Sequence, residues 1–172
     1  EANKFITLKA NAARGFRAPN MAELASNGTH EGTNRYEYGE QNLKSESSLQ
    51  LDAGIELNYE HFSFAFNSFA NNINNFVYYR KLASFFGGDS ILNVNGDDIT
   101  TFRFDQNNAR LTGVEAVFDI HPHPLDWLHF ENSFSFVRGR FNDAVDGTNN
   151  LPLIPAPRWV SDIRANFLKA GK

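Results

Sequence analysis

Histidines and carboxylates are the residues of this sequence whose types suit a metal ion. His30 stands directly beside Glu31 in a stretch rich in Gly and Thr. A neutral imidazole and a carboxylate oxygen suit Zn²⁺, which binds such ligands at roughly 2.0–2.2 Å. A structural zinc site needs about four ligands, and this stretch supplies two. His30 and Glu31 are therefore candidate metal ligands that other segments must complete, and the alternative is an exposed loop histidine.

The remaining histidines lie in or near short turns. His121 and His123 form an H-x-H pair that can chelate a metal, but the proline after each of them favours a turn. His61 is also expected in a turn. His129 projects from the polar face of a predicted strand, where hydrogen bonding to a neighbour is the simpler expectation.

Two further groups offer ligand chemistry. Asp97 and Asp98 could supply hard oxygen ligands, but they follow Asn-Gly, a strong hairpin signal, so a solvated tip is expected. Aromatic residues in the predicted loops could grip an apolar ligand such as a haem or a catecholate, and burial in loop packing is the alternative. These aromatic residues are Tyr36, Tyr38, Tyr78, Phe85 and Phe86.

Catalytic motifs do not occur in the sequence, and composition narrows the classes further. It has no nucleophile elbow, no phosphate-binding Gly-Lys loop and no H-E-x-x-H, so we expect no enzyme. The 172 residues carry a net charge of −4 and no cysteine. This excludes a disulfide scaffold and argues against nucleic acid as a partner, which would need a basic stripe. No apolar run approaches the roughly 18 residues of a membrane helix.

The elements that must position these residues are strands, because hydrophobicity alternates with a period of two. Residues 49–60 place Leu, Ala, Ile and Tyr on one face and Gln, Asp, Glu and Asn on the other. Similar alternation recurs at 62–67, 114–120, 128–136 and 159–167, with a weaker opening strand over about 3–13. Twelve residues span about 41 Å, which is close to the apolar band of an outer-membrane barrel when tilted by about 45°.

The connections alternate between long and short. Long loops are predicted over 14–45, 80–100 and 141–156, and short turns near 59–62 and 121–126. This alternation is typical of up-and-down barrels, whose long loops lie outside the cell. Aromatic residues near the turns and loops would form interfacial girdles: Tyr59, Phe62, Trp127, Tyr78, Tyr79 and Trp159.

Several ordered motifs carry a family resemblance. The stretch RGFRAPN at 14–20, followed by AEL at 22–24, resembles the "RGFRAP…EL" stretch of TonB-dependent outer-membrane receptors. The likeness continues through SNGTHEGT at 26–33, YEYGE at 36–40, NLKSE at 42–46, NARLTGVE at 108–115 and LPLIPAPR at 151–158. Ser45 stands where the family usually has Pro, and Ala25 where it usually has an aromatic residue.

The resemblance implies an all-β fold: an antiparallel up-and-down meander of about six long strands, a segment of a large outer-membrane β-barrel. Residues 1–172 would be a partial barrel domain without plug, TonB box or C-terminal strand, since the sequence starts and stops in mid-pattern without a signal peptide. Its implied partners are its own plug domain, the remaining barrel strands, the TonB complex and outer-membrane lipid.

The implied function is uptake of a scarce nutrient across the outer membrane of a Gram-negative bacterium: a metal ion, siderophore or haem. The NG-x-H stretch also resembles the zinc-uptake subgroup, which makes His30 a plausible ligand, with Glu31 beside it and Tyr36 and Tyr38 nearby. No cofactor is required, because a zinc ion or an iron complex would be cargo. The alternative is a soluble extracellular all-β binding module, such as an adhesin or a carbohydrate-binding domain.

Overall fold

The computed structural model describes residues 5–30, 32–125 and 127–165. Over these residues the chain forms ten strands and one short helix. In chain order these are β1 (Ile6–Arg17), α1 (Met21–Ala25), β2 (Asn27–His30), β3 (Arg35–Tyr38), β4 (Glu46–Tyr59), β5 (Phe62–Lys81), β6 (Ile91–Val94), β7 (Asp97–Ile120), β8 (Leu128–Val145), β9 (Thr148–Asn150) and β10 (Arg158–Ala165). No helix of the described ranges is long and apolar enough to cross a membrane.

All ten strands belong to one sheet. Its main path runs β1-β4-β5-β7-β8-β10, and the short strands β2, β3, β6 and β9 attach at its side. The predicted antiparallel meander of about six long strands is confirmed, and the sheet does not close on itself. One pairing is parallel: β3 lies beside β7 with Arg35 opposite Thr100 and Tyr38 opposite Arg103.

The long loops are shorter in the structure than the sequence predicted. β1 continues to Arg17, β5 to Lys81 and β8 to Val145, and the segment after β1 contains α1 and the β2–β3 hairpin. Backbone ladders need no apolar side chains, so pairing continues beyond the point where alternation ends. The short turns at Glu60-His61 and after Ile120 are confirmed.

The chain divides into two compact units, which we call the strand unit and the loop unit. The strand unit comprises Glu1–Ala13, Leu49–Asn72 and Arg110–Lys172, and the loop unit Arg14–Ser48 and Ile73–Ala109. In the strand unit large apolar side chains stay exposed: Leu51 at 53%, Trp159 at 60% and Ile163 at 70%. Register sets Trp159 opposite Phe134 and Ile163 opposite Phe130, so these side chains share one face.

Polar residues occupy alternate positions of the strand unit and pair across strands. Lys9 forms an ion pair with Glu56. The Asp52 carboxylate accepts hydrogen bonds from Asn11 at 3.0 Å and from Gln50 at 2.8 Å. The predicted two-faced strands are therefore present, with a hydrogen-bonded polar row on one face.

The loop unit has a core of its own. Its buried apolar residues come from the distal part of β5 and the first half of β7, and they are Val77, Tyr78, Ile99, Phe104 and Ala109. The Tyr79 and Phe104 rings also pack against each other, with centroids 4.4 Å apart. This core supports the segments that carry most of the predicted ligand residues.

Candidate functional site

An ion network built on Arg17 anchors the segment that follows β1. The Arg17 guanidinium donates to both carboxylate oxygens of Glu23 at 2.8 Å. It also donates to Glu46 on β4, at 2.9 Å from Nε and 2.7 Å from Nη2. Glu46 Oε1 in turn accepts from the backbone N–H of Val77 at 2.7 Å. The RGFRAPN motif thus ties β1, α1, β4 and β5 together through a forked, charge-assisted arrangement.

Helix α1 is short but well capped. Asn20 Oδ1 accepts from the backbone N–H of Glu23, and Glu23 Oε2 accepts from the backbone N–H of Asn20, which is a capping box. Gly39 lies against the helix: a Cβ atom there would come within 2.5 Å of the Ala25 nitrogen. Since Gly39 also donates its N–H to Ser26, only the absence of a side chain permits this close approach.

The β2–β3 hairpin carries the predicted ligand residues and is held by a charge pair whose carboxylate is buried and whose guanidinium is half-buried. Glu37 is 4% exposed, and its carboxylate lies 3.3 Å from Arg35 Nη2. The Arg35 guanidinium also packs over the rings of Tyr79 at 4.6 Å and Phe102 at 5.5 Å. Cation–π contacts and an ion pair together fix this hairpin on the loop core.

Register separates the predicted ligand residues into two groups. His30 pairs with Arg35, Thr29 with Tyr36 and Asn27 with Tyr38, so His30 lies on the opposite face from the two tyrosines. The tyrosine rings pack 5.0 Å apart, and Tyr36 donates to Asn27 Oδ1 at 3.0 Å. Glu31, the expected second metal ligand, lies outside the described residues.

His30 lines a cavity of about 590 Å³, which we call the cup. One wall comes from the turn between β2 and β3 and the other from the β6–β7 hairpin. The Thr33 hydroxyl lies 3.2 Å from His30 Nδ1. The lining residues are Thr29, His30, Gly32, Thr33, Asn34, Val94, Asn95, Asp97 and Ile99.

The cup combines an imidazole and a carboxylate with hydroxyls and amides. His30 and Asp97 are metal-ligand types, and the threonine and asparagine side chains offer hydrogen-bonding groups. These side chains suit binding a metal ion or a polar metal complex.

The other predicted contacts fall in different places. Phe85 and Phe86 are 96% and 93% exposed at a loop tip, with rings at 5.4 Å in an edge-to-face arrangement. Tyr78 is buried in the loop core, so packing explains it. Asp98 accepts from the Asn93 side chain at 2.8 Å, as expected for a hairpin tip.

Sequence reasoning did not foresee that Asp97 shares a cup with His30. The two residues lie far apart in the chain, and no spacing rule connects them. The Asn95-Gly96 turn was recognisable, but the parallel β3–β7 pairing that brings the hairpins to one place leaves no local signal.

The chain matches a known protein family in sequence and resembles solved structures in fold. A model of the family described as "TonB dependent receptor-like, beta-barrel" matches residues 1–171. The fold also resembles that of the copper transporter OprC, with a TM-score of 0.68 and 16% identity over 95% of this chain and 22% of that one.

Two siderophore receptors named PirA resemble the chain as well. The protein from Acinetobacter baumannii has a TM-score of 0.62 and 19% identity, over 98% of this chain and 25% of that one. The protein from Pseudomonas aeruginosa has a TM-score of 0.59 and 19% identity, over 83% and 27%. The chain therefore spans about a quarter of the length of these structures. Because the family model covers nearly the whole sequence, this chain belongs to the TonB-dependent receptor-like β-barrel family.

Proposed function

We propose that this chain is part of an outer-membrane active transporter that binds a metal ion or metal complex at its extracellular loops and imports it with TonB energy. TonB-dependent receptors are transporters rather than enzymes. The ligand-binding part of this proposal rests on one observation: His30 and Asp97 line the same cup.

The exposed apolar face of the strand unit supports a place in the outer membrane. Leu51, Trp159 and Ile163 would meet water in a soluble module, at a cost for each apolar surface. Lipid removes that cost, and the polar row that includes Asp52 suits a wet, plugged interior. A soluble adhesin or sugar-binding module would bury such residues between sheets, whereas the described strands form one sheet.

The cargo is proposed to contain a metal. The solved structures named above are titled as a copper transporter and as siderophore receptors, and the cup offers nitrogen and oxygen ligands. A bare Zn²⁺ or Cu²⁺ ion would use His30 with Asp97, together with Glu31 beside His30 in the sequence and with ligands from other segments. An iron–siderophore would use the same polar groups as hydrogen-bonding partners. The exposed Phe85–Phe86 pair would offer apolar contacts, and Tyr36 and Tyr38 would offer them to a ligand on the other face of the hairpin.

The remaining partners follow from the family. We propose that residues 1–172 form one portion of the barrel domain of a longer receptor, paired with further strands and filled by a plug. The TonB complex would act through that plug, and a Gram-negative outer membrane would hold the barrel. No nucleic acid partner is proposed.

The test uses the full-length receptor that contains this chain. Cells take up radiolabelled Zn²⁺, Cu²⁺ or ferric siderophore, with and without a functional TonB. We expect uptake of at least one cargo to require TonB, and His30→Ala and Asp97→Ala to weaken its binding by about tenfold or more, as loss of a metal contact does.

Asp98→Ala is the matched control, because Asp98 is the next residue of the same hairpin but does not line the cup. Equal loss of cargo binding in Asp97→Ala and Asp98→Ala would show that the cup is not the binding site. Uptake of each cargo that is independent of TonB would overturn the transport function itself.

A further inference from the structure

A second group of metal-ligand side chains lies at the short-turn edge of the strand unit, and the loop cup includes none of them. Asp119 and His121 come from the end of β7 and the turn after it, and His129 comes from the start of β8. One ligand atom from each of the three residues lies within 4.8 Å of the others. Asp119 Oδ2 is 3.5 Å from Nδ1 of His121 and 3.5 Å from Nδ1 of His129.

The backbone fixes the tautomer of His121. Its Nε2 lies 2.5 Å from the Glu60 carbonyl oxygen. A carbonyl oxygen only accepts, so Nε2 must carry a proton that it donates. In a neutral imidazole Nδ1 is then a lone pair, and this lone pair faces the Asp119 carboxylate. A backbone carbonyl that holds the far nitrogen of a ligating histidine is the usual outer support of a metal site.

Two buried polar atoms of these side chains lack a hydrogen-bond partner. His121 Nδ1 and Asp119 Oδ1 are both shielded from solvent and make no hydrogen bond. The side chains of Asp119 and His121 are each only 24% exposed, and that of His129 is 31% exposed. Asp119 Oδ2 and the unprotonated His121 Nδ1 are both acceptors, and at 3.5 Å they repel each other unless a cation or a proton lies between them.

Two of the three distances between the ligand atoms match one coordination geometry. In a tetrahedral zinc site with ligand bonds of about 2.0–2.2 Å, neighbouring ligand atoms are about 3.3–3.6 Å apart. Both distances from the Asp119 oxygen fall in this range. Two imidazole nitrogens and one carboxylate oxygen also form a common ligand set for catalytic zinc, which leaves one position open.

We propose that Asp119, His121 and His129 form a second divalent-metal site, for Zn²⁺ or a similar ion, at the short turns of the strand unit. The fourth position is open to water or to a neighbouring imidazole. The His61 ring lies 5.9 Å from that of His121 and 5.5 Å from that of His123. A bound ion would tie β7 to β8 and, through Glu60, to the β4–β5 turn.

The competing arrangement is a proton in place of the metal, with an imidazolium paired to Asp119. It predicts that added metal changes nothing at these residues. It also predicts that Zn²⁺ leaves the thermal midpoint of the receptor unchanged, whereas a site specific to the folded state raises that midpoint with metal concentration.

The experiment uses the full-length receptor with the loop cup silenced by His30→Ala and Asp97→Ala, so that failure of the proposed function does not affect the result. Zn²⁺ alone is titrated by calorimetry, and Cu²⁺ alone is examined by electron paramagnetic resonance. We expect one equivalent of Zn²⁺, and a Cu²⁺ spectrum with coupling to two imidazole nitrogens. Asp119→Asn and His129→Gln keep side-chain size similar and should each weaken binding by about tenfold or more.

His123→Gln is the control, because His123 shares the turn but is not one of the three ligands. The folding of each variant is checked by its heat-dependent migration in detergent gels. If one variant does not fold, the Cu²⁺ spectrum of the receptor with the unsubstituted cluster still tests the proposal. Absence of saturable Zn²⁺ binding in the cup-silenced receptor overturns the proposal. So does binding that survives both Asp119→Asn and His129→Gln.

Discussion

The strand unit and the loop unit share long strands but are stabilised in different ways. The loop unit buries an apolar core around Val77, Ile99 and Phe104 and satisfies its charges through Arg17. The strand unit leaves Leu51, Trp159 and Ile163 exposed and pairs its polar residues along the other face. Among the described residues, the loop unit has the larger buried apolar core, whereas the strand unit buries Phe141 and Leu151 but keeps most of its large apolar side chains exposed.

This difference decides which substitutions each unit tolerates. In a soluble protein an exposed position changes stability little, usually within about 0.5 kcal/mol. In a lipid-facing strand the same position is expensive to charge, because lipid cannot solvate an ion. In the loop unit, by contrast, close backbone approach and ion pairing set the limits.

The largest expected effect comes from placing a charge on the exposed apolar row. Leu51→Lys should lower the free energy of unfolding in phospholipid vesicles by about 2–4 kcal/mol, the cost of lysine near the bilayer midplane. The measurement is the denaturant midpoint of the full receptor in vesicles. Gln50→Lys is the control, since Gln50 lies on the polar face beside Asp52. Equal small effects for both substitutions would make the strand unit an ordinary water-exposed sheet.

The next effect tests close packing in the loop unit. Gly39→Ala forces a Cβ atom to within 2.5–2.7 Å of the backbone of Leu24 and Ala25, so α1 must move. Such overpacking costs about 1–3 kcal/mol. Gly28→Ala adds the same atom where nothing lies within 4 Å and should be nearly neutral. Susceptibility of the segment around α1 to limited proteolysis reports the change, and similar cleavage of both variants would contradict the packing argument.

A third effect tests the charge network of the loop unit. Arg17→Ala leaves Glu23 and Glu46, whose side chains are 11% and 15% exposed, without their shared cation. We expect a loss of about 1–2 kcal/mol, less than for a fully buried pair because Arg17 itself is 43% exposed. Arg14→Ala, in the same motif, is the control. Hydrogen exchange of the Val77 amide, which donates to Glu46, should quicken only in Arg17→Ala.

The long strands were predictable from sequence because their signal is local. Alternation over 49–60 predicts which face of the strand each residue occupies. In the structure β4 covers these residues up to Tyr59, and exposure alternates from Leu49 to Gly54. The tight turn at Glu60-His61 and the hairpin at Asn95-Gly96 were predictable for the same reason. Each of these features depends on neighbours within a few residues.

The candidate sites were less predictable because they depend on distant pairings. His30 was identified by its type, but Asp97 joins it through the parallel pairing of β3 with β7. In the strand unit, the H-x-H pair suggested His121 with His123, whereas the ligand atoms that lie close together belong to Asp119, His121 and His129. Strand register across a turn decided this grouping, and a single sequence does not display register.

The smallest expected effect concerns a surface turn of the loop unit. The backbone and side-chain N–H groups of Asn42 both donate to Glu40 Oε1 at 3.0 Å. These hydrogen bonds hold the pKa of Glu40 below its ordinary value. Because the pKa is lowered in the folded state, the ionised carboxylate stabilises the turn fully above the ordinary glutamate pKa. This stabilisation is lost as the pH falls through the lowered pKa. In Glu40→Gln, hydrogen exchange of residues 39–45 should therefore be faster than in the parent at neutral pH, and the two should converge in acid. A difference in exchange rate that persists unchanged into acid would show that ionisation of the Glu40 carboxylate does not order this turn. The charge of Glu40 would then have no structural role, in contrast to the charge of Arg17.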